Sequence, residues 1–191
     1  MIEAIKELGV WVAAAGFKDV KVGDVDGFMR KLRGNVEAEA VQALDADRVA
    51  GWPHLYFAAL NAVKAMKDGV NITRDLGMEI LVFASGRRQI TKAIQAIGVK
   101  PTTTRVALIT ITKSREDAEK SIGQASKVIG GERDDRVLKL TRGKVEAVRS
   151  MFGITDEELE TQLRGRTKAE GWREALVDLV IEHVALLITR E

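Results

Sequence analysis

The chain has 191 residues, of which 46% are hydrophobic and 30% charged, with a formal net charge of +2. That length and balance suit one soluble globular domain over residues 1–191, able to bury a full core without staples. The absence of cysteine excludes disulfides, thiolate metal sites and thiol catalysis.

The first turns carry Glu3, Lys6 and Glu7 and no long apolar run, so no signal peptide is visible. The longest apolar runs, near Ile80–Ala84 and Val184–Ile188, are far too short to span a bilayer. A soluble, cytoplasmic protein is expected.

In chain order, Val10–Ala15 is an apolar run predicted as a strand and ended by Gly16. A short helix over Val25–Leu32 has Asp24 as its N-cap and Gly34 as its stop. A second strand is predicted over Val36–Leu44. Pro53 suits the first position of a helix that ends at Gly69. On it Leu55, Ala59, Ala62 and Met66 face the core, and His54, Asn61, Lys64 and Asp68 form the opposite stripe. Thr73 can cap a buried helix over Arg74–Ala84. Ser85-Gly86 breaks it, and a helix over Arg87–Ile97 follows, with Ile90, Ala93 and Ile94 inward and Arg87, Arg88, Lys92 and Gln95 outward.

Arg105–Thr112 is the clearest strand, rich in β-branched residues. Ser114 starts a helix that runs to Gly130-Gly131, and a strand is predicted over Arg136–Leu140. Thr141 caps a helix to Met151, Thr155–Glu158 is a capping box opening another, and the last helix covers Trp172–Leu187. Four strands among helices, with no repeat and no linker, predict a mixed α/β (α+β) fold in one domain.

No catalytic constellation is legible. His54 and His183 lie on helices without a carboxylate at ligand spacing, which favours structural histidines. Neither phosphate-binding glycine pattern nor a Gly-x-Ser-x-Gly elbow occurs, and no nucleophile has an adjacent base. No metal and no cofactor are expected.

Charge is uneven. Between Asn61 and Lys100 seven basic residues (Lys64, Lys67, Arg74, Arg87, Arg88, Lys92, Lys100) face three acids (Asp68, Asp75, Glu79), a local +4 that leaves −2 for the remainder. Arginines in the first turn of a helix oppose its dipole, so Arg87 and Arg88 suggest an anion docking there, nucleic-acid phosphate being the commonest. The plain alternative is a solvated helix face. With Lys64, Arg74 and Lys92 as cations and Asn61, Asn71, Ser85 and Gln89 as neutral partners, the mix suits single-stranded nucleic acid. Aromatic residues are only 5%, too few for a broad stacking platform. Glu79 sits inside an apolar run; it either fixes the junction of two helices, paired with an arginine or backbone N–H groups, or orients an arginine or ligand.

The run Ala50-Gly51-Trp52-Pro53-His54-Leu55-Tyr56-Phe57-Ala58, the pair Asn61-Ala62, Met78-Glu79-Ile80-Leu81 and Ser85-Gly86-Arg87-Arg88-Gln89-Ile90 resemble the small kinase-binding accessory subunit of the KEOPS complex (the TPRKB family), archaeal type. Ile154-Thr155-Asp156-Glu157-Glu158 and Val184-Ala185-Leu186-Leu187 agree, and the similarity spans residues 9–188. The resemblance implies a compact α/β domain with an antiparallel-containing sheet wrapped by helices, and no catalytic activity. It implies binding to the atypical kinase/ATPase subunit of KEOPS and support of threonylcarbamoyl modification of adenosine in ANN-decoding tRNAs. In archaeal members it also implies a grip on the single-stranded 3′ CCA end of tRNA. That role is carried to Lys64, Asn71, Arg74, Ser85, Arg87, Arg88, Gln89 and Lys92, with Glu79 structural or orienting. No motif marks the kinase face; Trp172, Leu176, Leu179, Val180 and Val184 on the last helix are its candidates, with core packing as the alternative. The first eight residues and the Arg/Lys-rich stretch Thr161–Gly171 match no pattern.

Overall fold

The structure is a computed structural model that describes residues 1–163 and 168–188. In chain order it comprises β1 (Ile2–Ile5), β2 (Val10–Lys18), α1 (Val25–Asn35), β3 (Ala40–Asp45), α2 (Trp52–Asp68), α3 (Leu76–Ser85), α4 (Ile90–Ile97), β4 (Val106–Thr112), α5 (Arg115–Val128), β5 (Glu132–Arg133), α6 (Arg142–Phe152), α7 (Asp156–Gln162) and α8 (Lys168–Ala185). The five strands form an antiparallel sheet in the order β1-β2-β4-β3, with β5 beside β2. The expectation of a mixed α/β fold with a small sheet is met.

β4 is buried along its whole length, and the two-residue period of a strand sends alternate side chains into different cores. Ala107, Ile109 and Ile111 join Val12, Ala14 and Leu44 under α2, α3 and α8. Val106 and Leu108 join Ala13, Ala15, Phe17 and Val41 under α1 and α5. The helices on the first face carry the candidate site.

Several expected boundaries move, each for a local reason. β2 runs through Gly16 to Lys18, because a Cβ at Gly16 would meet the Asp134 carbonyl oxygen at 2.6 Å and Val137 Cγ2 at 2.5 Å; glycine there admits the segment after β5. The first eight residues hold β1, which pairs with β2. α1 continues past Gly34 to Asn35, so Val36 ends a helix and the strand begins only at Ala40. The strand expected over Arg136–Leu140 is replaced by a 3₁₀ turn, Asp135–Leu138, because the Asp134 carboxylate accepts from the Arg136 N–H and starts a helical turn. Thr141 precedes α6, which ends at Phe152, but its side chain makes no capping bond. Ser114 caps α5 and the Thr155–Glu158 capping box opens α7, both as expected. The last helix starts before the expected Trp172, at Lys168, and ends at Ala185; residues 164–167 of the Arg/Lys-rich stretch lie outside the described residues.

Candidate nucleic-acid interface

α2 and α3 form a hairpin. The loop between them is built around Glu79, whose carboxylate is fully buried and accepts from the Ile72 N–H at 3.0 Å and the Thr73 N–H at 2.7 Å. Two charge-assisted bonds to backbone satisfy a group that could not otherwise be buried. Of the roles open to Glu79, this is the structural one. Asn71 Nδ2 donates to the Thr73 carbonyl at 2.7 Å, and Thr73 Oγ1 donates to the Asp75 carbonyl at 2.9 Å. Thr73 therefore spends its hydroxyl inside the loop. Asp75 caps α3 instead, its Oδ1 accepting from the Met78 N–H at 2.7 Å. Arg74 is left outside the helix and exposed, beside the loop.

At the other end of α3, Gly86 takes a left-handed backbone (φ 63°) and closes the helix. Ser85 is 1% exposed, its Oγ donating to the Val82 carbonyl and accepting from the Arg87 N–H, so it presents nothing to solvent. α4 begins only at Ile90, with Gln89 as its N-cap residue. Arg87 and Arg88 thus belong to the turn, not to a first helical turn, and the dipole argument for an anion at that point falls. The Arg87 Nη2 donates to the Met151 carbonyl at 2.8 Å, and Arg88 Nη1 lies 3.3 Å from the Ile188 carbonyl oxygen. Ile90 and Ile94, expected inward, are 39% and 41% exposed; Ala93 and Ile97 pack instead.

The eight candidate residues therefore do not converge on one point. Asn71 and Arg74 stand at the start of α3, and Ser85, Arg87, Arg88, Gln89 and Lys92 at its end, separated by its 10 residues, about 15 Å of helix. Lys64 is exposed on the second half of α2, the half that leads to the first group. Lys64, Arg74, Gln89 and Lys92 are exposed and make no side-chain bond to the described residues. A cleft of about 240 Å³ opens beside the second group, lined by Gly86, Arg87, Ser150, Phe152 and His183. The kinase-face candidates are mostly interior: Leu176, Val180 and Val184 are fully buried, Leu179 nearly so, and only Trp172 is half-buried. Their side chains bind α8 to the core.

His54, expected on an outward stripe, is fully buried because α3 covers that side of α2. Its Nδ1 accepts from the Ala50 N–H at 3.1 Å and its Nε2 lies 2.8 Å from the Ala84 carbonyl. The amide can only donate and the carbonyl only accept, so the Nε2–H tautomer is required. A proton on Nδ1 would oppose the Ala50 N–H, and burial lowers this imidazole from the ordinary 6.5 to about 4. The unfolded chain then binds the extra proton first. The His54 contribution to stability should be level above about pH 6.5, fall by roughly 3 kcal/mol between there and pH 4, and level off below. Urea unfolding of the wild type against His54→Leu checks this: the variant is less stable at pH 7 but should lack that part of the acid slope.

No group of three or more metal-ligating side chains occurs among the described residues, and no described helix is long and apolar enough to cross a membrane. The described chain is a mixed α/β fold, an antiparallel sheet with helices on both faces and basic side chains about α3. A family profile described as "Kinase binding protein CGI-121" matches residues 17–187, and the chain belongs to that family. It is also 40% identical over 113 residues to "Regulatory protein Cgi121" of Methanocaldococcus jannaschii, an alignment that covers 59% of this chain and 70% of that protein.

Proposed function

We propose that this protein is a non-catalytic accessory subunit of a KEOPS complex that binds the atypical kinase/ATPase subunit and recruits tRNA through its 3′ CCA end. In that role it supports threonylcarbamoyladenosine formation in ANN-decoding tRNAs. Membership of a kinase-binding family over residues 17–187 carries the kinase half of this reading. The RNA half is supported by the exposed cations Lys64, Arg74, Arg88 and Lys92 disposed about α3, with Gln89 beside them for base edges. Asn71 and Ser85 serve it indirectly, by shaping the loop and turn that carry these side chains.

For the kinase, the reading uses the open side of α8, next to the interior residues named above. The half-buried Val177 and Ile181 line a groove of about 700 Å³ with Trp52, Pro53 and Leu140, and Arg173 stands at its rim. Aromatic and arginine side chains around an apolar floor are the composition of interface cores. Size-exclusion chromatography with the kinase subunit should give a co-eluting complex, and Ile181→Asp should abolish it while RNA binding persists. Separate elution of the wild-type proteins would end the kinase assignment.

A second reading is a regulatory module for a small kinase with no direct RNA contact. It is favoured by the diversion of Arg87 to a backbone carbonyl and of Ser85 to the interior. The two readings differ in whether RNA binding exists and weakens with salt.

A further inference from the structure

The turn Gly86–Gln89 is fastened to the end of α6 by two contacts and to the end of α3 by a third. Met151 is the penultimate residue of α6, so its carbonyl is one of the last four that have no partner within the helix. The Arg87 guanidinium donates to that carbonyl at 2.8 Å, which places a cation where the helix dipole favours one. The Arg87 N–H donates to the buried Ser85 Oγ at 3.1 Å. Gly86 lies against the ring of Phe152, so close that a Cβ would come within 2.9 Å of Cε1. Arg87 is half-buried, whereas Arg88, Gln89 and Lys92 are exposed.

We infer that Arg87 is a positioning residue for nucleic-acid binding and not a phosphate ligand: it caps α6 and thereby holds the turn that presents Arg88, Gln89 and Lys92. This rests on the RNA-binding reading above. It inverts the expectation for this residue, because its charge is matched by the C-terminus of one helix rather than by an anion at the N-terminus of another. A phosphate ligand and a latch have different signatures. Removing a phosphate contact lowers the slope of log affinity against log salt, by about 0.7 for a single strand. Loosening a latch lowers affinity at every salt concentration and leaves the slope in place.

The test measures binding of a CCA-ended single-stranded RNA by the full chain across a salt series, with Arg87→Met, Arg87→Lys and Lys92→Ala. Amide hydrogen exchange of residues 86–89 is followed in parallel. Lys92→Ala should reduce the slope and leave exchange unchanged. Arg87→Met should weaken binding roughly 3- to 10-fold, the scale of one lost hydrogen bond, at unchanged slope and with faster exchange in the turn. Arg87→Lys, which can still reach a carbonyl, should recover most of the affinity. A slope reduced by Arg87→Met as by Lys92→Ala, with exchange unaltered, would overturn the inference. Failure of the wild type to bind RNA would remove the RNA-binding reading and the positioning role with it; the exchange data would then report on the latch alone.

Discussion

Glu79→Ala should lower the unfolding free energy by about 3 kcal/mol, because it leaves two backbone N–H groups without acceptors next to a new cavity. The Ile72 and Thr73 amides both point at this carboxylate, which is wholly excluded from solvent. Glu79 also stands in the first turn of α3, where a negative charge is favoured by the helix dipole. Glu79→Gln should recover only part of the loss: its amide oxygen can serve one donor, but its NH₂ then faces the other. In a chain of this size the alanine variant corresponds to roughly 6–12 °C in Tm. Arg74 should lose its fixed position as the loop loosens, so RNA affinity should fall with stability. A change below about 1 kcal/mol would mean that water replaces the carboxylate and that the loop is not built on it.

The second large effect is expected at Gly86. Its φ of 63° is a conformation that costs other residues about 1–2 kcal/mol. Its missing Cβ is also occupied space, 2.9 and 3.1 Å from the edge of Phe152. That ring packs against His54 at 5.6 Å and His183 at 5.7 Å, so any withdrawal disturbs both contacts. Gly86→Ala should therefore cost about 2–4 kcal/mol, the backbone strain plus overpacking. Gly153 is an internal control: its φ is 71°, but nothing lies within 4 Å of the place a Cβ would take. Gly153→Ala should cost only the backbone strain, about 1–2 kcal/mol. Calorimetry of the two variants side by side isolates the Phe152 contact. Equal losses would show that the ring yields without cost.

The features that proved legible were those set by local chemistry. The β-branched run of β4, the capping box of α7, Ser114 at the start of α5 and Pro53 at the start of α2 each act within a few residues. The burial of Glu79 was legible too, since a carboxylate inside an apolar helix must find partners. What failed depended on contacts distant in sequence. One apolar stripe on α2 places His54 outward, but α2 packs against both α3 and α8 and is covered on more than one side. The choice of Asp75 over Thr73 as cap was decided by the closure of the loop on Glu79. The turn at Arg87 depends on a carbonyl 64 residues away, and no periodicity in the sequence points to it. Gly16 reads as a strand end, yet it lies mid-strand because another segment crosses it. Charge counting along the chain treats the basic residues as one set, but the length of α3 divides them, which a one-dimensional count cannot show.

The proposed hold on the tRNA 3′ end rests on the basic side chains about α3. Fluorescence anisotropy of the purified protein with an ANN-decoding tRNA, intact and lacking its CCA end, at two salt concentrations, tests it most directly. Binding should require the CCA end, weaken with salt, and be lost in the Arg74→Glu, Lys92→Glu double variant with its fold intact. Absence of binding to either RNA, or equal binding to both, would contradict it.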